Sequence, residues 1–266
     1  MDVKELNISI FSYNVFWKIM KTSDSPLIKT LGKENLIKLK SNILSNITNV
    51  INYYNPFIYC FQEAESVADI IKLFPTTDYK YHLGYSKPEH ILTVWRKDVM
   101  KKKLILDGEF EPGRPFSIII FEDLRFGVYW ILINIHAGHN YNTNESIFKP
   151  IQNLLDLNKK LINRYDVKRV VIVGDFNRNI DSQIKFEPKK YKLKINSTKY
   201  EFYPVENSSN KTCCSLSGWG YKKNCDQLID TYSHPLLTHQ LNKESWYISK
   251  SSDHLAILSV VKNFIE

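Results

Sequence analysis

The chain has 266 residues, 43% hydrophobic and 24% charged, and its 36 Lys plus Arg against 28 Asp plus Glu leave a net charge of +8. This composition excludes an intrinsically disordered chain, and with no break between composition regimes it is read as one domain spanning residues 1–266. The basic balance suits a polyanionic partner. The absence of an apolar N-terminal run or a membrane-length apolar stretch predicts an intracellular protein, cytoplasmic or nuclear, without membrane insertion.

A first strand is expected over Asn7–Tyr13, then a loop with Ser25-Pro26, then a helix from Lys33 to Tyr54. In that helix Leu36, Leu39, Ile43, Ile47, Val50, Ile51 and Tyr54 recur on one face. Asn55-Pro56 ends it, because the residue before proline is pushed out of the helical region. Phe57–Phe61 reads as a short buried strand, followed by a helix through Val67, Ile70, Ile71 and Phe74 that stops at Pro75. Strands are expected at Tyr79–Leu83, Ile91–Trp95 and Lys103–Glu109, then a hairpin of Phe116–Phe121 and Arg125–Ile135 with a polar turn at Glu122–Leu124. A helix covers Ile151–Ile162 with Pro150 in its first turn, and Arg169–Val173, Cys225–Tyr232 and Leu255–Val261 complete the core strands. The Lys- and Asn-rich stretch from Asp181 to Ser209 shows only weak alternation. The four cysteines, Cys60, Cys213, Cys214 and Cys225, match no zinc spacing and are expected as reduced thiols, with Cys60 in the core. Many strands interrupted by two long helices argue for stacked sheets with helices on the outer faces.

Five polar clusters stand where apolar strand-like runs end: Ser12-Tyr13-Asn14, Phe61-Gln62-Glu63, Asn134-Ile135-His136, Gly174-Asp175-Phe176-Asn177 and Ser252-Asp253-His254. Carboxylates hold hard cations and histidines move protons, so this set suits metal-assisted cleavage of a phosphoester. Taken singly, Glu63 reads equally as a cap of the following helix, Asn14 as a turn residue and Gly-Asp-Phe-Asn as a turn. Those readings do not explain the set.

The five clusters, in this order and spacing, resemble the endonuclease/exonuclease/phosphatase superfamily over the whole chain. The resemblance implies an α/β (α+β) architecture, the four-layer α/β/β/α sandwich of the DNase I-like fold. It makes Glu63 the principal ligand of Mg²⁺ or Mn²⁺, with Asn14 and Asp253 completing the polar shell. Asp175 and Asn177 resemble the pair that positions the attacking water and the scissile phosphate, or that holds a second ion. His136 and His254 resemble the two active-site histidines, with Glu89 as the partner of His136. Asp226 matches the aspartate that orients His254, and Asp230 competes for that role.

Arg114 corresponds to a phosphate-contacting arginine, although a loop arginine in a surface ion pair has the same sequence appearance. Trp219 and Tyr221, followed by Lys222-Lys223, are candidates to stack on a base or sugar and equally to pack. The implied activity is hydrolysis of DNA or RNA phosphodiester bonds by in-line attack of water on phosphorus, with DNA favoured, and the enzyme is expected as a monomer. The alternative is an inositol-phosphate or phospholipid phosphoesterase. Cys225-Asp226-Gln227-Leu228 partly resembles the inositol phosphatase motif, but Gln227 stands where arginine is usual and Asn224 where tryptophan is usual. A non-catalytic nucleic-acid-binding copy of the fold is a further alternative, against which the intact carboxylates and histidines count.

Overall fold

Ten residues of alternating apolar character, Glu5–Asn14, form β1 in the computed structural model, which describes residues 5–138, 144–177, 192–201, 203–204, 226–230, 237–240, 254 and 256–264. There follow α1 (Trp17–Met20), α2 (Ile28–Leu31), α3 (Lys33–Tyr53), β2 (Ile58–Gln62), α4 (Val67–Ile71), β3 (Tyr79–Ser86), β4 (Glu89–Arg96) and β5 (Met100–Glu109). Next come β6 (Pro115–Asp123), β7 (Val128–His136), α5 (Asn144–Leu157), α6 (Lys159–Ile162), β8 (Val167–Asp175), β9 (Lys192–Ile195) and β10 (Thr198–Glu201). The last described elements are β11 (Tyr203–Pro204), β12 (Asp226–Asp230), β13 (Leu237–Gln240) and β14 (Ile257–Phe264).

Two six-stranded mixed sheets result, ordered β13-β14-β1-β2-β4-β3 and β11-β12-β8-β7-β6-β5. Each contains one parallel pair. A helix carries the chain from β1 to β2 (α3) and from β7 to β8 (α5), because parallel neighbours need a long crossover. The apolar face of α3, including Leu36, Ile43, Ile47 and Val50, covers the outer face of the first sheet at Phe11, Tyr59, Phe61 and Leu92. On the other side α5 brings Ile147, Phe148, Ile151 and Leu155 against Ile118, Ile131, Ile133 and Ile172 of the second sheet. Between the sheets lies a third core of Ile8, Ile10, Ile58, Cys60, Trp95, Phe121, Trp130, Leu132, Val171 and Val173. Helix, sheet, sheet and helix are therefore stacked as expected, and among the described residues no helix is long and apolar enough to cross a membrane.

Several boundaries differ from the sequence reading. The helix expected over Ile151–Ile162 is two helices, and Pro150 lies inside the first rather than in its opening turn. The break falls at Asn158, whose side-chain nitrogen donates to the Leu154 carbonyl at 2.9 Å and so competes with the helical ladder. The β6–β7 turn is wider than Glu122–Leu124. Strand pairing runs on to Asp123↔Val128, where the Gly127 amide closes on the Asp123 carbonyl at 2.8 Å with the glycine at φ 67°. Helix α4 ends at Ile71, and three-residue turns at Leu73 and Phe74 complete the segment before Pro75. The short elements α1, α2, β9, β10, β11 and β13 carry too few residues to show a period of their own.

Candidate active site

Along each inward-facing strand the side chains change from apolar to polar toward one end of the sandwich. Alternation places every second residue between the sheets. The series runs Ile8, Ile10, Ser12, Asn14 on β1 and Ile58, Cys60, Gln62 on β2, then Leu132, Asn134, His136 on β7 and Val171, Val173, Asp175 on β8. On the antiparallel strand β4 the same end is reached in reverse, through Trp95, Thr93, Ile91 and Glu89. All four parallel-paired strands end at this rim, in register at Asn14↔Gln62 and His136↔Asp175.

The chain needs unusual backbone to finish the rim. Glu63, just past β2, has φ 55°, and Asn177, just past β8, has φ 53°, both in the left-handed region that non-glycine residues seldom occupy. Gly174 has φ 134°, and a Cβ there would lie 2.2 Å from the Ile135 carbonyl oxygen, so only glycine lets β8 approach β7 closely enough to present Asp175.

Glu63 is 8% exposed and Asp175 1% exposed, a pair of acids withdrawn from water at the junction of the two sheets. Asn14 links them. Its side-chain nitrogen donates to Glu63 Oε1 at 3.1 Å and to Asp175 Oδ2 at 2.9 Å, while its oxygen accepts from the Phe16 amide at 3.0 Å. Asn14, expected in the ion's polar shell, thus stands between the two acids, with its nitrogen turned to them. Glu63 Oε2 accepts from the Trp17 amide at 3.0 Å, and Asp175 Oδ1 accepts from the Asn177 amide at 2.7 Å. The Asn177 side chain is tied to the Ala137 carbonyl at 2.6 Å, which fixes the loop after β8 against the end of β7.

Across the pocket His136 is 1% exposed, with Nδ1 2.6 Å from Glu89 Oε2 and Nε2 3.6 Å from both Glu63 Oε1 and Asp175 Oδ2. Burial disfavours the charged imidazole, but the Glu89 hydrogen bond and the charges of Asp175, Glu63 and Glu89 outweigh it, and the pKa lies above the usual 6.5. Arg114, positioned at the start of β6 by a turn closed between Phe110 and Arg114, lies against the same pair. Its Nη1 is 2.6 Å from His136 Nε2 and 3.2 Å from Nδ1, close to both ring nitrogens at once, and 3.2 Å from each Glu89 oxygen, to which the guanidinium donates.

The Nε2 of His254 lies 3.7 Å from Asp175 Oδ2. Burial raises the Asp175 carboxyl, yet the charges of His254 and His136, with the Asn177 and Asn14 donors, more than reverse this and hold it below the ordinary carboxylate range. Glu63, Asp175 and His254 each offer a donor atom, all within 4.8 Å of one another. Two carboxylates and an imidazole form an oxygen-rich donor set that fits a hard or borderline divalent ion.

Of the residues singled out in the sequence, Asn14, Glu63, Glu89, Arg114, His136, Asp175, Asn177 and His254 meet at this rim. Asp226 begins β12 and pairs with Asp175 in register. Asp253, Trp219 and Tyr221 lie outside the described residues. Ser12, Gln62 and Asn134 have no role that their sequence positions alone assign, and neither has the Trp17 amide. The former carried a signal, since each sits two residues inward of the rim or at it on the same face.

No protein-family model and no curated protein matches the sequence. The architecture does have counterparts among solved structures. An endonuclease/exonuclease/phosphatase from Bacteroides vulgatus superposes with a TM-score of 0.69 at 13% identity, covering 98% of this chain and 100% of that one. ANGEL2, a 2',3'-cyclic phosphatase, gives 0.64 at 13% identity with 98% of both chains covered. The human Nocturnin catalytic domain gives 0.65 at 14% identity, covering 99% of this chain and 98% of that one. The chain has the endonuclease/exonuclease/phosphatase, or DNase I-like, fold over its full length.

Proposed function

We propose that this protein is a divalent-metal-dependent phosphoester hydrolase acting on phosphodiester bonds of nucleic acid, with DNA favoured. The observation that carries the reading is the convergence of Glu63, Asp175 and His254 within 4.8 Å, opposite a His136–Glu89 pair and Arg114. Three anions beside two histidines and a guanidinium make a pocket that holds a cation against a phosphate. Glu63 and Asp175 would hold the ion, which when bound would supply Lewis-acid neutralisation of phosphoryl charge.

The chain's own groups do the rest. His136, oriented through Nδ1 by Glu89, turns Nε2 into the pocket and holds or gives a proton at the leaving oxygen. Arg114 moves from His136 and Glu89 onto the phosphoryl oxygens, for which its planar fork is suited. Asp175, kept ionised by its donors, accepts a hydrogen bond from the attacking water, and His254 on its other side takes that water's proton. Asn177 holds Asp175 in place through its backbone amide. Nucleic acid as substrate is supported by the net charge of +8 and by the placement of Arg114, and a phosphoester substrate by the 2',3'-cyclic phosphatase among the structural neighbours.

The test offers the purified chain plasmid DNA, single-stranded DNA, RNA, inositol phosphates and a phospholipid, with Mg²⁺ or Mn²⁺ and with chelator. Ion-dependent cleavage of nucleic acid that disappears in Glu63→Ala and His136→Ala is the expected result. Inorganic phosphate released from inositol phosphates alone would replace the nucleic-acid reading, and full turnover in both variants would end the site assignment.

A further inference from the structure

The candidate site is made of two half-sites on different sheets. Asn14, Glu63 and Glu89 come from the first sheet, His136, Asp175 and Arg114 from the second. Within the pocket the sheets meet at Asn14–Asp175 and Glu89–His136, groups that the reaction itself engages, and apolar packing behind them has no directional contact of its own to fix their relative position. One step inward from the pocket, the apolar core is interrupted by amides. Gln62 Nε2 donates across the sheet gap to Asn134 Oδ1 at 2.8 Å, and to Ser12 Oγ at 3.2 Å on the neighbouring strand. Asn134 Nδ2 donates back to the first sheet, to Thr93 Oγ1 at 3.1 Å and the Leu92 carbonyl at 3.3 Å. Ser12, Gln62, Thr93 and Asn134 all have 0% exposure.

We infer that the Gln62–Asn134 pair is a positioning device that sets the distance between the two half-sites. This rests on the reading that both half-sites serve one phosphoester cleavage. Stability does not account for the pair, because replacing both partners of a buried hydrogen bond with apolar groups of similar shape is close to neutral. A hydrogen bond adds what apolar packing lacks, a narrow range of distance and direction. The leverage is short. Gln62 immediately precedes Glu63, Asn134 stands two residues before His136 on the same face, and Thr93 shares β4 with Glu89. One side chain, Asn134, thus ties the strand of the histidine to the strand of its carboxylate partner and, through Gln62, to the strand that presents Glu63.

The test is the triple variant Ser12→Ala, Gln62→Met, Asn134→Leu, which removes both amides and the Ser12 hydroxyl and leaves the Thr93 hydroxyl its hydrogen bond with Cys60. Bis(p-nitrophenyl) phosphate with Mn²⁺ is the probe, at a temperature where circular dichroism shows the variant fully folded. Misplacement of reacting groups by an ångström costs about 100-fold in rate. The expected result is a kcat lowered by roughly 10- to 100-fold with KM within about threefold of wild type, as loosened half-sites still bind but no longer meet in the transition state. The exchanged pair Gln62→Asn/Asn134→Gln keeps both amides and their summed length, and is expected to recover at least a third of wild-type kcat.

A folded triple variant with kcat within twofold of wild type would overturn the inference. So would an exchanged pair no more active than the triple variant. Glu63→Ala is run alongside. Full activity in that variant refutes the proposed reaction itself, whereas its loss together with an unimpaired triple variant refutes only the positioning role.

Discussion

Gly174→Ala isolates the closest approach in the site from its chemistry, since no functional atom is removed. The added methyl carbon would sit 2.2 Å from the Ile135 carbonyl oxygen, and φ 134° is a conformation in which only glycine is comfortable. Carbon and oxygen meet without repulsion at about 3.3 Å, so β7 and β8 have to part by about 1 Å at the pair that directly precedes His136↔Asp175. The dihedral penalty is about 1–3 kcal/mol, and lost pairing at the strand ends brings the total to about 3–5 kcal/mol. For a chain of this size that lowers Tm by roughly 10 °C. Turnover falls further than stability explains, because the separation falls between two groups that face one reacting phosphate. Calorimetry and a phosphodiesterase assay at low temperature, where the variant is folded, measure the two effects separately. A variant that melts within 2 °C of wild type (roughly 1 kcal/mol or less) and turns over normally would refute both the strain argument and the placement of the site at this strand pair.

Three other outcomes follow from the same geometry. His136 has a pKa raised above 6.5, so its stabilising effect is complete below the unfolded value and is lost as pH rises through the folded one. Glu89→Gln removes the first of the raising partners, so wild type should exceed the variant in urea resistance most at pH below about 6 and progressively less toward pH 9, and the opposite slope would contradict the assignment. Arg114→Lys keeps the charge and loses the planar fork, and kcat/KM on a diester should drop by about 10-fold or more, while an unchanged value would make Arg114 a structural ion pair with Glu89. Mg²⁺ or Mn²⁺ at about 100 times its Kd should stabilise the fold by about 2.7 kcal/mol in thermal scans, and Glu63→Ala should abolish that shift.

The local periods of the sequence carried the long elements. The seven-fold recurrence of apolar residues gave α3 to within a residue of its observed end, because a helix that packs one face on a sheet must repeat at that spacing whatever lies beyond it. The strands β2, β4, β6, β7 and β8 were legible for a related reason: a strand covered on both faces is an unbroken apolar run. The polar groups closing those runs are visible too, Glu63, His136, Asp175 and His254 among them, because each interrupts an apolar run at its end. Short elements such as α1 and β11 were not legible, since they have neither length for a period nor a face of their own.

What the chain alone determined is which residues end each strand, since that is a property of local alternation. Tertiary structure decided which of those ends meet. The parallel pairing of β1 with β2 and of β7 with β8 brings four strand ends to one rim, and no local pattern specifies the stacking of the two sheets that sets Asn14 on Asp175, 161 positions away. Which way Asn14 turns its amide, and that Arg114 rests on Glu89 and His136 together, depends on hydrogen-bond partners supplied by distant segments, and side-chain orientation of that kind is settled by packing and electrostatics after the backbone has closed.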